Sequence, residues 1–161
     1  MGSLKTDRLW APWRIKYVGV KKEKGCIFCA ALKPHSGDYV IFKSRSSFAM
    51  LNIFPYNNGH LLVSPRRHVR ELSLLKDSEI VDLFRSLDKV KEALMKALKP
   101  QGFNIGINMG RPAGAGVTGH LHIHIVPRWD GDTNFMPALY GTKVISQSLQ
   151  ELRGILKKYL C

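Results

Sequence analysis

The sequence predicts an α+β fold: an antiparallel sheet of about five strands, one long helix covering its apolar face, and a second helix at the C-terminal end. Three observations carry that prediction. Residues 120–126 alternate His120, His122 and His124 with Leu121, Ile123 and Ile125, the period of two of a strand with one aliphatic and one imidazole face. Residues 77–98 place Ile80, Leu83, Phe84, Leu87, Val90, Leu94 and Leu98 at three- and four-residue steps, the apolar stripe of a covering helix. Four other short apolar runs are punctuated by turn formers, with no internal repeat and no linker between folding units, so 1–161 reads as one domain.

Composition bounds the class. The 161 residues are 45% hydrophobic and 23% charged, an ordinary globular balance, and 25 basic against 12 acidic side chains give a net charge of +13. That excess favours anionic partners such as nucleotides, nucleic acid or an acidic surface. No apolar run reaches the roughly 20 residues of a membrane span, and the first residues lack the apolar core of a signal peptide. Three cysteines, two of them in a close pair, argue against a secreted disulfide framework. A cytoplasmic protein with no membrane attachment is expected.

Taken in order, residues 1–25 hold Trp10, Pro12 and Trp13, an apolar arm expected to pack on the domain or on a partner subunit. Residues 38–43 and 47–53 read as a hairpin turning at 43–46. The segment 54–59 (Phe-Pro-Tyr-Asn-Asn-Gly) is dense in turn formers, and His60 to Ser64 is a third strand stopped by Pro65. Asp77, Ser78 and Glu79 suit the first turn of the long helix, and Lys99-Pro100 suit its end. Residues 103–109 form a fourth strand, with Phe103, Ile105, Ile107 and Met109 on one face and Asn104, Gly106 and Asn108 on the other. A glycine-rich stretch, 110–119, leads into the histidine strand, and a terminal helix is expected over about 146–160. His35 reads as a surface loop residue.

Spacing divides the three histidines. Same-face residues on a strand lie about 6.5–7 Å apart, so His120 and His124 are separated by roughly 13 Å and cannot share one metal. Cys26 and Cys29 have the spacing of half a tetrahedral zinc site, although a redox pair or two buried thiols fit equally. The other half needs two nitrogen ligands, for which His68 and His120 are the candidates. The loop Gly114-Ala115-Gly116-Val117-Thr118 precedes a strand rather than a helix, so it is neither a Rossmann nor a Walker loop. Its amides and the Thr118 hydroxyl suit an anion, and a flexible connection fits as well. A central histidine beside such a loop, His122, suits nucleophilic attack on phosphorus if its other ring nitrogen is held by an acceptor.

These residues are similar to a known pattern. His120-Leu121-His122-Ile123-His124-Ile125-Val126 resembles the signature of the histidine triad (HIT) superfamily. The resemblance extends to Cys26-Ile27-Phe28-Cys29, Leu51-Asn52, Gly59-His60-Leu61-Leu62-Val63, Pro65-Arg66-Arg67-His68, Asn108-Met109-Gly110 and Pro127-Arg128, a core of about 26–128. The flanks Leu9-Trp10-Ala11-Pro12-Trp13-Arg14 and 127–135 resemble the bacterial diadenosine tetraphosphate phosphorylase-like and Fhit-like branch, with 129–161 as an extension carrying the last helix.

The resemblance implies a HIT-like fold and cleavage of dinucleoside polyphosphates through a covalent nucleotidyl-histidine, discharged by water or phosphate. It implies His122 as the nucleophile, His124 as the phosphate-side partner, His60 as a supporting histidine of the same pocket and Asn108 near the scissile phosphate. It further implies Asn52 on the ribose hydroxyls and Gly114, Ala115, Gly116, Val117 and Thr118 as the phosphate-binding turn. The stretch from Asn108 to His120 is one residue longer than in the shortest relatives. Cys26, Cys29, His68 and His120 match the zinc ligands of the metal-containing members, and a homodimer with a composite sheet is implied. Two alternatives stand beside this: a HIT protein that removes adenylate from DNA ends, and a nucleotide-binding module with little catalysis. No basic helix with interleaved aromatics supports the first.

Overall fold

A computed structural model describes residues 25–33, 39–132 and 145–160. The Trp10–Trp13 arm, His35, Cys161 and the 133–135 part of the extension lie outside these described residues. The order is α1 (Ile27–Ala31), β1 (Val40–Lys43), β2 (Ser47–Leu51), β3 (Leu61–Pro65), α2 (Asp77–Leu98), β4 (Gly102–Gly106), β5 (Ile123–Arg128) and α3 (Leu149–Leu160). The five strands form one antiparallel sheet in the order β1-β2-β3-β5-β4. The fold is the α+β architecture expected from the sequence.

Strand alternation divides the sheet into two faces. On one, Ala49, Leu51, Leu61, Val63, Leu121, Ile123 and Ile125 meet Leu83, Leu87, Val90 and Leu94 of α2 and Leu152, Leu156 and Leu160 of α3 in the main core. On the other, Phe48, Met50 and Leu62 enclose Phe28 of α1 in a smaller cluster. Beside that cluster lie the imidazoles: His60 and His120 are 1% exposed and His122 5%. The histidine face is therefore a buried layer rather than a solvated one.

Helix α2 begins where its composition suggests, with the Glu79 carboxylate accepting the Lys76 N–H at 2.9 Å, and ends at Lys99 in the left-handed conformation (φ 48°). Midway along its first half, Asp82 accepts hydroxyl protons from Ser44 (2.6 Å), Ser46 (2.9 Å) and Ser47 (2.8 Å), which fastens the β1–β2 turn to the helix.

Three expectations are corrected. The histidine strand pairs only from Ile123, because Leu121 donates instead to the Val69 carbonyl (2.6 Å) and its own carbonyl accepts Ser64 Oγ (2.8 Å). The fourth strand ends at Gly106 rather than 109, and its apolar face is only half covered. Phe103 and Ile107 reach the core, whereas Ile105 on β4, an edge strand among the described residues, and Met109 beyond the end of that strand are 48% and 49% exposed. The terminal helix starts at Leu149, three residues later than expected, after Ser148. Helix α1 was not foreseen.

Candidate functional site

The site lies where β3 and β5 run side by side. The pairing of Leu62 with His124 and of Gly106 with His124 sets β5 between β3 and β4, with its imidazoles on the same side as His60. The segment 54–59 folds back over this end of the sheet, and Asn57 anchors it by donating to the Pro127 carbonyl (3.1 Å) and to Asp132 (2.9 Å).

His122 is held at one nitrogen. Its Nδ1–H donates to the His120 carbonyl at 2.8 Å, so the lone pair stays on Nε2. Burial pushes its pKa below the usual histidine value, which keeps the ring neutral. A neutral imidazole with a fixed free nitrogen is the state a nucleophile requires.

His60 and His124 form a directed pair. The Tyr56 amide donates to His60 Nδ1 at 3.0 Å, which leaves the His60 proton on Nε2. That nitrogen lies 2.9 Å from His124 Nδ1 and donates to it. His124 therefore carries its own proton on Nε2, ready to be offered to an anionic oxygen. Burial, reinforced by His124 and His122, lowers His60 to a pKa of about 3, and burial with His122 lowers His124 to about 4. Asn52 completes the group, its Nδ2 lying 3.3 Å from His60 Nδ1 while its carbonyl accepts the Phe54 N–H at 2.9 Å.

The two lowered values make stability depend on pH with a definite sign. An unfolded histidine binds a proton below about 6.5, whereas folded His60 and His124 refuse it until about 3 and about 4. Between those limits the unfolded chain holds more protons, so stability falls as pH falls. A melting series should show Tm level above about pH 7 and dropping steadily below about 6. A Tm that stays flat through the acid range contradicts the neutral pair.

At the other end of the row is a second cluster. One ligand atom from each of Cys26, Cys29, His68 and His120 lies within 4.8 Å of the others. The His120 Nε2–H donates to the Pro65 carbonyl at 2.9 Å, so Nδ1 is free and faces Cys26 Sγ at 3.2 Å. His68 Nδ1 lies 3.3 Å from Cys29 Sγ. Burial and the neighbouring Cys26 push the Cys29 thiol above its ordinary value, a cost that a cation between the sulfurs offsets. Two thiols and two correctly oriented imidazoles are a set that holds a tetrahedral metal.

Asn108, Val117 and Thr118 line a cleft of about 290 Å³ with Arg70, Gly110 and His120, at the His120 end of the row. In the loop, Gly114 has φ 87°, its amide donates to the Arg111 carbonyl (2.9 Å), and a Cβ there would lie 3.5 Å from Asn108 Nδ2. The Ala115 amide donates to the Gly110 carbonyl at 3.2 Å, and Gly116 follows it. Val117 packs on the Phe28 cluster. A separate surface hollow of about 550 Å³ along the outer side of α2 is lined by none of the histidines.

Sequence reasoning missed two aromatic residues. Phe28, between the two cysteines, lies 4.8 Å from the His122 ring and 5.0 Å from the His120 ring. Tyr56 lies 4.6 Å from the His60 ring and parallel to His124 at 5.7 Å. The available signals were an aromatic inside a Cys-x-x-Cys and one inside a turn four residues before a histidine.

A buried row of imidazoles, with one ring pinned through its neighbour's carbonyl and another fed by a paired histidine, defines a histidine triad protein. Residues 33–131 match the HIT domain, and the chain belongs to that family. A Mycobacterium tuberculosis protein named AP-4-A phosphorylase is 38% identical over 160 residues, 93% of this chain and 82% of that one. The asymmetrical bis(5'-nucleosyl)-tetraphosphatase of Schizosaccharomyces pombe is 41% identical over 96 residues, 60% of this chain and 52% of that one. The crystal structure of a Zn-bound histidine triad family protein from Mycobacterium smegmatis is similar with a TM-score of 0.67 at 26% identity, covering 84% of this chain and 92% of that one.

Proposed function

We propose that the chain is an enzyme that cleaves dinucleoside polyphosphates, diadenosine tetraphosphate among them, through a nucleotidyl group carried on His122. The observation that carries this reading is the 2.8 Å bond from His122 Nδ1–H to the His120 carbonyl, which leaves Nε2 as a fixed, neutral nucleophile. The names of two relatives, a phosphorylase and a tetraphosphatase, support the substrate class.

In the first step Nε2 attacks the phosphorus of a terminal nucleoside phosphate. The P–O bond to the remaining polyphosphate breaks, and its electron pair stays on the departing oxygen, which leaves as the polyphosphate anion. The His124 Nε2–H keeps its proton while stabilising that oxygen with a hydrogen bond. The positive charge left on the His122 ring is shared through Nδ1–H with the His120 carbonyl. Water then cleaves the P–N bond to give a nucleoside monophosphate, or phosphate cleaves it to give a nucleoside diphosphate. Either route restores neutral His122. In this reading His60 fixes the His124 tautomer, and Asn52 holds the ribose hydroxyls. Asn108 with the turn Gly114, Ala115, Gly116, Val117 and Thr118 receives the phosphates.

The Cys26, Cys29, His68 and His120 cluster is read as a structural zinc site, supported by the donor set and by the Zn-bound relative; zinc analysis of the purified protein measures it. Zinc there would supply a crosslink between α1 and the segments that carry His68 and His120. A homodimer is supported by the edge position of β4 among the described residues and by the exposed Ile105 and Met109, and light scattering tests it. We also read 1–161 as one folding unit in the cytoplasm, where paired thiols stay reduced. Among the described residues no helix is long and apolar enough to cross a membrane.

Product analysis tests the reaction. With diadenosine tetraphosphate the enzyme should release AMP and ATP in water, and ADP and ATP to the extent that added phosphate is the acceptor. Symmetric cleavage to two ADP without added phosphate contradicts attack at a terminal nucleoside phosphate.

A further inference from the structure

We propose that Phe28 is a positioning residue for His122, held in place by the Cys26–Cys29 turn; this rests on the reading of His122 as the nucleophile. Phe28 is 1% exposed and sits in the five-residue helix that starts immediately after Cys26 and contains Cys29. Its ring lies 4.8 Å from His122, tilted by 31°, and 5.0 Å from His120, so it covers both imidazoles at once. Phe48 meets its edge at 6.4 Å and closes the pocket.

Among the described residues the His122 ring has one hydrogen bond, through Nδ1, and a single bond leaves a ring free to rock about it. A packed aromatic face removes that freedom, because displacing either ring opens a void in a buried cluster. Helix α1 is too short to hold Phe28 there by itself. Its anchors are Cys26 Sγ, 3.2 Å from His120 Nδ1, and Cys29 Sγ, 3.3 Å from His68 Nδ1. The cysteine–histidine cluster thus reaches the nucleophile by two routes, through the His120 carbonyl and through the Phe28 ring.

The experiment compares Phe28→Leu and Phe28→Ala with the unaltered protein in four measurements: metal content, AMP affinity, the single-turnover rate of His122 nucleotidylation from diadenosine tetraphosphate, and the His122 tautomer from long-range proton–nitrogen NMR. Phe28→Leu keeps a buried apolar side chain and serves if Phe28→Ala does not fold. The expected result is retained metal, AMP affinity within about twofold, and nucleotidylation slowed by about tenfold or more, the scale of a misplaced reacting group. The His122 nitrogens should shift from a single Nδ1–H tautomer toward a mixture. An unchanged rate and tautomer in Phe28→Leu overturns the proposal, as does a loss of AMP affinity equal to the loss of rate, which would make Phe28 a wall of the nucleotide pocket. If the unaltered protein forms no adduct, the nucleophile reading fails instead, and the tautomer measurement still decides what Phe28 does to the ring.

Discussion

Replacement of His122 by Ala or Asn should reduce kcat by about 10⁴-fold or more, the scale on which removal of a covalent nucleophile acts. No neighbour can substitute. His124 Nδ1 is occupied by His60 at 2.9 Å, and its Nε2 carries a proton. His120 turns Nδ1 toward Cys26 and gives Nε2–H to Pro65, so neither of its nitrogens faces a substrate. The fold should survive, because among the described residues the only hydrogen bond of the His122 side chain is to the His120 carbonyl. Circular dichroism and AMP binding check that the variant is intact, and steady-state kinetics read the loss. Activity near the original level would show that another group attacks phosphorus.

Gly59→Ala should have the largest effect on stability of any single-methyl change near the site. Gly59 has φ 77°, and a Cβ there would sit 2.7 Å from Leu98 Cδ1, 2.8 Å from Pro127 Cγ and 3.2 Å from Leu94 Cδ2. The left-handed backbone costs about 1 kcal/mol for a residue with a Cβ, and overpacking adds about 1–3 kcal/mol. The sum corresponds to a Tm lower by roughly 5–15 °C for a domain of this size. Gly154→Ala is the control: it lies within α3, a Cβ there meets nothing within 4 Å, and the change should be neutral or slightly stabilising. Because Gly59 precedes His60, the damaged variant should also lose activity disproportionately as the His60–His124 pair loosens.

Much of this molecule is legible from its residues because the decisive patterns are periodic. The stripe from Ile80 to Leu98 marks α2 at the bounds observed, and alternation along 120–126 separates three core aliphatics from three imidazoles. Strand rise alone shows only that the three histidines cannot share one metal. Their separate roles, and the set Cys26, Cys29, His68 and His120 that the structure gathers, are implied by the resemblance to histidine triad proteins. The cysteine spacing by itself also fits a redox pair or two buried thiols. What escapes has no period. Helix α1 is five residues long, too short for a helical repeat to show, and it delivers Phe28 to the His122 ring. Tyr56 reaches His60 through a backbone amide, which every residue type possesses. The exposed side chains of β4 depend on where the sheet ends, and strand order is a long-range property that alternation within one strand does not carry.

The central claim is that a nucleotide passes through a covalent bond to His122, and the direct measurement is the mass of the chain during the first turnover. Enzyme mixed with diadenosine tetraphosphate and quenched in alkaline denaturant, where a phosphoramidate survives, should be heavier by one adenylyl group. Peptide fragmentation should place that group on His122 among residues 120–124, and His122→Ala should show none. Products released at the full rate with no adduct, or an adduct carried by His124, would contradict it.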